Sequence, residues 1–249
     1  MSRAPQPTES PQGPAPVAGD ARPDRVIAVL GMHRSGTSAL VGSLQRYGLF
    51  LGAHNTANKY NPRGNRENRP VLRLNEEILR HSGGSWDAPP PAVEWSQGHF
   101  ARAREILAEY AGRPLWGFKD PRTLLTLEGW QRLLPDLEFV GVFRHPARVA
   151  RSLASRPELP VQDPLRVWRA YNERLLALHR RRPFPVLSFD DDTEVLERNF
   201  DRVAEMLGLA TEADEEPFFT DELRRFDADQ TELPPDVAAL YEELRALAL

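Results

Sequence analysis

Apolar residues in this chain come in two patterns, short unbroken runs and longer stretches spaced by three and four. The first run is Val26, Ile27, Ala28, Val29 and Leu30. It is short and rich in β-branched residues, as a strand buried on both faces of a parallel sheet requires. Leu40, Val41, Leu44 and Tyr47 then recur at helical spacing and predict a helix over 37–47. A polar loop over 50–69 leads to a helix over 70–81 with an apolar stripe of Val71, Leu74, Ile78 and Leu79. Gly83, Gly84 and the prolines at 89–91 break the chain before a helix over 98–110. A second strand over 114–118, a helix ending near Leu134 and a third strand over 138–143 follow. Pro146 occupies the favoured first position of another helix. A longer one over 164–180 puts Trp168, Tyr171, Leu175 and Leu178 on one face. Residues 186–189 read as a fourth strand, and 195–207 as a helix closed by Gly208. A polar stretch over 211–233 precedes a final helix starting near Pro235.

Strands alternating with helices predict an α/β domain with a central, mostly parallel sheet flanked by helices. No internal repeat is visible. Residues 1–24 hold six prolines and little apolar surface, and are expected to be a disordered tail. The ordered domain is expected over 25–210, with 211–249 as an acidic helical extension packed on it.

Composition narrows the function classes. The 249 residues are 41% hydrophobic, enough for a real core, and include no cysteine. That excludes a disulfide scaffold, a thiolate metal site and cysteine nucleophile chemistry. No stretch reaches the roughly 18 uncharged apolar residues of a membrane span. No apolar run follows Arg3, so no secretory signal is visible and a cytoplasmic location is expected. A net charge of −4 argues against a general nucleic-acid binder. The average hides an asymmetry: residues 1–189 carry 27 basic and 17 acidic side chains, residues 190–249 carry 5 and 19. A basic body suggests an anionic small ligand. Only Lys59 and Lys119 are lysines.

Three segments carry candidate chemistry. Residues 31–38 read Gly-Met-His-Arg-Ser-Gly-Thr-Ser, a glycine-rich turn between a buried strand and a helix. Such a turn aims unpaired N–H groups and the positive end of the helix dipole at an anion. The pattern is close to a P-loop, but Thr37 stands where the lysine belongs and the cation is Arg34, inside the loop. A triphosphate enzyme needs that lysine. In the second segment, Arg144 leaves the carboxyl edge of the third strand, where open α/β sheets bind ligands. Ser152 lies two helical turns on, with Arg148 between them at i, i+4 spacing. A guanidinium and a hydroxyl can hold a phosphate dianion together. The third segment is Phe118, Lys119, Asp120, Pro121 and Arg122, at the end of the second strand.

A basic residue followed by Ser35, Gly36 and Thr37 after a strand resembles the 5′-phosphosulfate-binding loop of sulfotransferases. These enzymes use 3′-phosphoadenosine 5′-phosphosulfate, PAPS. The resemblance implies a three-layer, P-loop-like α/β fold with PAPS as co-substrate and no metal. It implies donor contacts from His33, Arg34, Ser35, Gly36, Thr37 and Ser38. Arg144 and Ser152 resemble the family's 3′-phosphate segment, with Arg148 and Arg156 as weaker candidates. The Lys-Asp-Pro segment is similar to that of tyrosylprotein sulfotransferases and related bacterial enzymes, so Lys119 is expected to stabilise the departing oxygen. In similar bacterial proteins a glutamate in a segment like 61–68 faces the transferred group, which makes Glu67 the chosen base. Arg63, Arg66 and Arg69 flank it and are expected to keep it ionised. His33, His54 and Asp120 stay open as bases.

The Lys-Thr-His segment and the C-terminal glycine-rich loop of cytosolic sulfotransferases are absent. The likeness is therefore to the carbohydrate and bacterial branches, over roughly residues 25–207. The expected function is sulfuryl transfer to a hydroxyl or amine on a small molecule, saccharide or lipid, with Arg34, Glu67 and Lys119 as the catalytic groups. Trp86, Trp95 and Tyr60 are candidate acceptor-pocket walls. Two other readings stand beside it. One is a P-loop kinase using the Asp190–Asp192 run for magnesium, the other a non-catalytic nucleotide-binding module. No nucleic-acid partner is expected, and the sequence leaves homodimerisation open.

Overall fold

The computed structural model describes residues 21–55, 64–155, 161–209 and 232–249. Residues 1–20 of the expected tail (1–24) and residues 211–231 of the polar stretch (211–233) lie outside them, as do Tyr60, Arg63 and Arg156. Among the described residues four strands form the sheet: β1 (Arg25–Leu30), β2 (Leu115–Lys119), β3 (Glu138–Phe143) and β4 (Val186–Ser188). Their order is β2-β1-β3-β4 and every pairing is parallel, so the central sheet is parallel throughout.

The helices are α1 (Thr37–Arg46), α2 (Arg69–His81), α3 (Gln97–Ala108), α4 (Thr123–Leu133), α5 (Pro146–Ala154), α6 (Pro164–Arg181), α7 (Thr193–Met206) and α8 (Pro235–Leu247). None is long and apolar enough to cross a membrane. Local chemistry sets several starts. Asn68 accepts the Val71 N–H at 3.2 Å ahead of α2, and Asp163 accepts the Arg166 N–H at 3.0 Å ahead of α6. Ser96 and His99 exchange hydrogen bonds as a capping box at α3.

Alternation along each strand sorts the core into two layers. Val26, Ala28 and Leu30 join Trp116, Phe118, Phe139, Phe143 and Val186 on one face, covered by α2 to α6 and α8. Ile27 and Val29 join Val140, Val142 and Leu187 on the other, covered by α1 and α7. The result is three layers, helix–sheet–helix. The α8 side chains Val237, Leu240 and Leu244 are buried in the first layer.

Strand order also locates a crevice. The chain leaves β1 for β2 on one side and leaves β3 for β4 on the other. Between the carboxyl ends of β1 and β3 the connections diverge, the place where open α/β sheets take ligands.

Candidate active site

Two of the sequence-marked segments meet at that crevice. The turn after β1 is closed by the Ser35 N–H on the Met32 carbonyl, 3.3 Å, and enters α1 at Gly36. Gly36 has φ 93°, and a Cβ there would lie 2.3 Å from the Phe189 ring, so only glycine fits. Gly31 is equally constrained, since a Cβ would meet the Val142 carbonyl oxygen at 2.4 Å. Arg34 is held at φ 69°, a conformation that costs a non-glycine residue about 1 kcal/mol or more. The first N–H groups of α1 have no intrahelical acceptor and face the turn. Thr37 begins the helix, and Ser38 sends its hydroxyl to the Asn65 carbonyl at 3.2 Å.

Arg34 reaches across the crevice: its Nε donates to Ser152 Oγ at 2.8 Å. Ser152 is fully buried on α5, and Arg144, at the end of β3, is 6% exposed. The Arg144 guanidinium lies over the Phe189 ring at 5.4 Å. Phe189 thus touches both Gly36 and Arg144. The Ser35 hydroxyl is fully buried and has no hydrogen-bond partner among the described residues, as suits a loop built around a bound polar group.

The third segment stands beside α1. Lys119 ends β2 opposite Val29, on the sheet face that α1 covers. Its Nζ donates to Glu67 Oε1 at 3.0 Å and lies 3.5 Å from Ser38 Oγ. Lys119 is 1% exposed and Glu67 8%. The cation opposite Glu67 is therefore Lys119. Of the flanking arginines, Arg66 turns to Gln45 and to His54 Nε2. Asn55 adds an N–H to the other Glu67 oxygen at 3.4 Å.

The remaining base candidates fare differently. Both Asp120 oxygens are occupied, one by Asn75 at 2.8 Å and one by Arg122 at 2.8 Å. Asn75 also accepts from Thr126 and Trp130, so Asp120 belongs to a buried network joining α2 to α4. His54 Nδ1 faces the Gly52 carbonyl at 2.8 Å. The His33 ring packs on Trp86 at 4.4 Å and edge-on to Tyr171 at 6.0 Å.

A cavity of about 260 Å³ opens between these groups, lined by His33, Arg34, Glu67, Trp86, Arg122 and Glu76 among others. Sequence reasoning did not single out Arg122 as a lining residue, nor Glu76 at all. Their pairing at 2.9 Å depends on how α2 and α4 pack. Burial works against the Arg122 charge, but Asp120 and Glu76 outweigh it and its pKa is raised. Trp86 is a wall of this cavity. Trp95 instead covers Gly129 and packs edge-on against Trp130 at 5.6 Å.

Two carboxylates of the magnesium candidate are engaged by other groups. Asp190 accepts the His145 N–H at 2.6 Å, Arg148 at 3.0 Å and the Tyr241 hydroxyl at 3.2 Å, while Asp191 pairs with Arg245. Arg148, a weaker phosphate candidate, is thereby an ion-pair partner of Asp190.

No protein-family model matches the chain, and no curated protein matches it in sequence. Among solved structures, the sulfotransferase domain of the olefin synthase from Synechococcus PCC 7002 superposes with a TM-score of 0.57 at 16% identity. That match covers 94% of this chain and 98% of that one. The chain has the sulfotransferase fold. Sulfotransferase STF1 of Mycobacterium tuberculosis matches at TM-score 0.42 and 17% identity, over 74% of this chain and 68% of its own. STF9 of Mycobacterium avium matches at 0.46 and 14%, over 91% and 69%.

Proposed function

We propose that this protein is a sulfotransferase that moves a sulfuryl group from PAPS to a hydroxyl or amine on a small molecule, saccharide or lipid. The observation that carries the reading is the Arg34–Ser152 hydrogen bond. It joins the turn suited to a 5′-phosphosulfate to the helix suited to a 3′-phosphate, at the crevice where open α/β sheets take ligands. The buried, unpartnered Ser35 hydroxyl and the tight Gly36 turn support donor binding at the same place.

In this reading Arg34, the turn from His33 to Ser38 and the first amides of α1 hold the 5′-phosphosulfate. Arg144 and Ser152 hold the 3′-phosphate. Glu67 takes the proton of the acceptor hydroxyl as the new O–S bond forms. The S–O bond to the 5′-phosphate breaks, and Lys119 places its ammonium on the oxygen that leaves with the electron pair. The Lys119–Glu67 contact keeps base and leaving-group cation within one hydrogen bond of each other. The acceptor occupies the cavity walled by Trp86, with the Arg122–Glu76 pair on its lining. Arginine and main-chain donors do the work that magnesium does in P-loop kinases.

The test is a labelled-sulfate transfer screen over phenol, saccharide and lipid-alcohol acceptors, run beside Glu67→Gln. Label appearing in an acceptor with the native protein and falling at least tenfold in the variant supports the reading. No transfer to any class from PAPS, with donor binding intact, would instead favour a non-catalytic binding module.

A further inference from the structure

Two consecutive residues at the exit of β4 touch both halves of the candidate site. Phe189 hydrogen-bonds to the Phe143 carbonyl at 2.8 Å, and its ring supports Gly36 and Arg144. Asp190 faces the start of α5. Its Oδ2 accepts the His145 N–H at 2.6 Å, a donor that has no acceptor within the helix. Its Oδ1 accepts from Arg148 Nη1 at 3.0 Å, one turn further along.

Asp190 is in turn held from α8. The Tyr241 hydroxyl donates to the same Oδ2 at 3.2 Å, and its ring lies edge-on to His145 at 4.8 Å and Phe143 at 5.9 Å. One turn on, Arg245 pairs with Asp191. The C-terminal helix therefore grips the two carboxylates that follow β4, and one of those grips α5.

The consequence follows from adjacency. Arg144 directly precedes the pinned His145, and Ser152 is one turn beyond Arg148 on the same helix. A small rotation of α5 displaces both. We propose that Asp190 and Tyr241 are positioning residues that brace α5, so that α8 takes part in selecting a nucleotide with a 3′-phosphate. This rests on the sulfotransferase reading above. Neither residue touches the donor in this account: Asp190 acts through the His145 amide and Arg148, and Tyr241 acts through Asp190.

The full chain is titrated by calorimetry with adenosine 3′,5′-bisphosphate and with adenosine 5′-monophosphate, as wild type, Tyr241→Phe and Asp190→Asn. Tyr241→Phe removes one oxygen and keeps the ring contacts. It is expected to weaken the bisphosphate about fivefold to tenfold, the size of one lost hydrogen bond, with the monophosphate within twofold of wild type. Asp190→Asn is expected to weaken the bisphosphate further, since an amide serves Arg148 poorly. Equal weakening of both nucleotides shows a general structural role and overturns the brace. Unchanged bisphosphate affinity in Tyr241→Phe overturns it as well, and that variant decides if Asp190→Asn does not fold. A wild type that fails to prefer the bisphosphate overturns the sulfotransferase reading itself, and the brace with it.

Discussion

Arg34 Nε and Ser152 Oγ are 2.8 Å apart, although 118 positions separate them in the chain. The contact joins the turn after β1 to the second turn of α5. It makes the two candidate anion-binding segments one structure. On the proposed reading, a ligand with negative charge at both ends would find its cationic and hydroxyl partners already assembled.

Arg144→Ala and Ser152→Ala are each expected to weaken adenosine 3′,5′-bisphosphate by about 1.5–3 kcal/mol, the size of a charge-assisted contact. Ser152→Ala also removes the acceptor of Arg34, so its effect should not add to that of Arg34→Ala. Calorimetry on the single and double variants checks both points. Unchanged affinity in both single variants removes the 3′-phosphate assignment.

Lys119→Ala separates chemistry from binding. Turnover should fall by about 10²–10³, as when a donor to a developing oxyanion is lost, with bisphosphate affinity much less affected. The buried pair adds a stability cost. Removing one partner of a buried ion pair costs roughly 3–5 kcal/mol, so melting should be followed alongside the kinetics. Equal losses in turnover and affinity would assign Lys119 a binding role only.

Gly36→Ala tests the turn. A non-glycine residue at φ 93° costs about 1–3 kcal/mol, before the overlap with the Phe189 ring is counted. Thermal unfolding should shift down and anion binding should be lost. A variant as stable as wild type that binds normally would show that the turn relaxes freely.

Much of the architecture was visible as pattern. The β-branched run over 26–30 is almost wholly buried, and Trp168, Tyr171, Leu175 and Leu178 all face the core as their spacing requires. Pro146 opens α5 as expected. Partnerships across the sheet were not visible. The sequence showed the arginines that flank Glu67 but not Lys119, 52 positions away, which the β1–β2 register delivers to it. Arg148, a weaker phosphate candidate, and Asp190, a metal candidate of the alternative kinase reading, are paired with each other by packing. Asn75 carried no chemical signal, because its four hydrogen bonds exist only once α2 lies against α4. Periodicity encodes which face is buried, and says nothing of which polar groups meet there.

Acid should destabilise the protein through two histidines. Burial lowers the His99 pKa from 6.5, helped by His81, and burial lowers that of His145, against the pull of Asp190 and with help from the Arg148 charge. His99 Nδ1 accepts the Ser96 N–H and His145 Nδ1 the Ala147 N–H, so both caps need neutral rings. As pH falls through 6.5 the unfolded chain binds protons first, and stability drops until the lower folded pKa values are passed. Urea unfolding between pH 7.5 and about 5 should show this slope, reduced in His99→Asn and His145→Asn. An unaltered slope in the double variant would assign the loss to other groups.

The most direct measurement is a calorimetric titration of the purified protein with adenosine 3′,5′-bisphosphate, set against ATP with magnesium. A single saturable site for the bisphosphate, abolished by combining Arg34→Ala with Arg144→Ala, is the predicted result. No heat with the bisphosphate, together with saturable binding of magnesium ATP, would contradict sulfate-donor recognition at the crevice between β1 and β3.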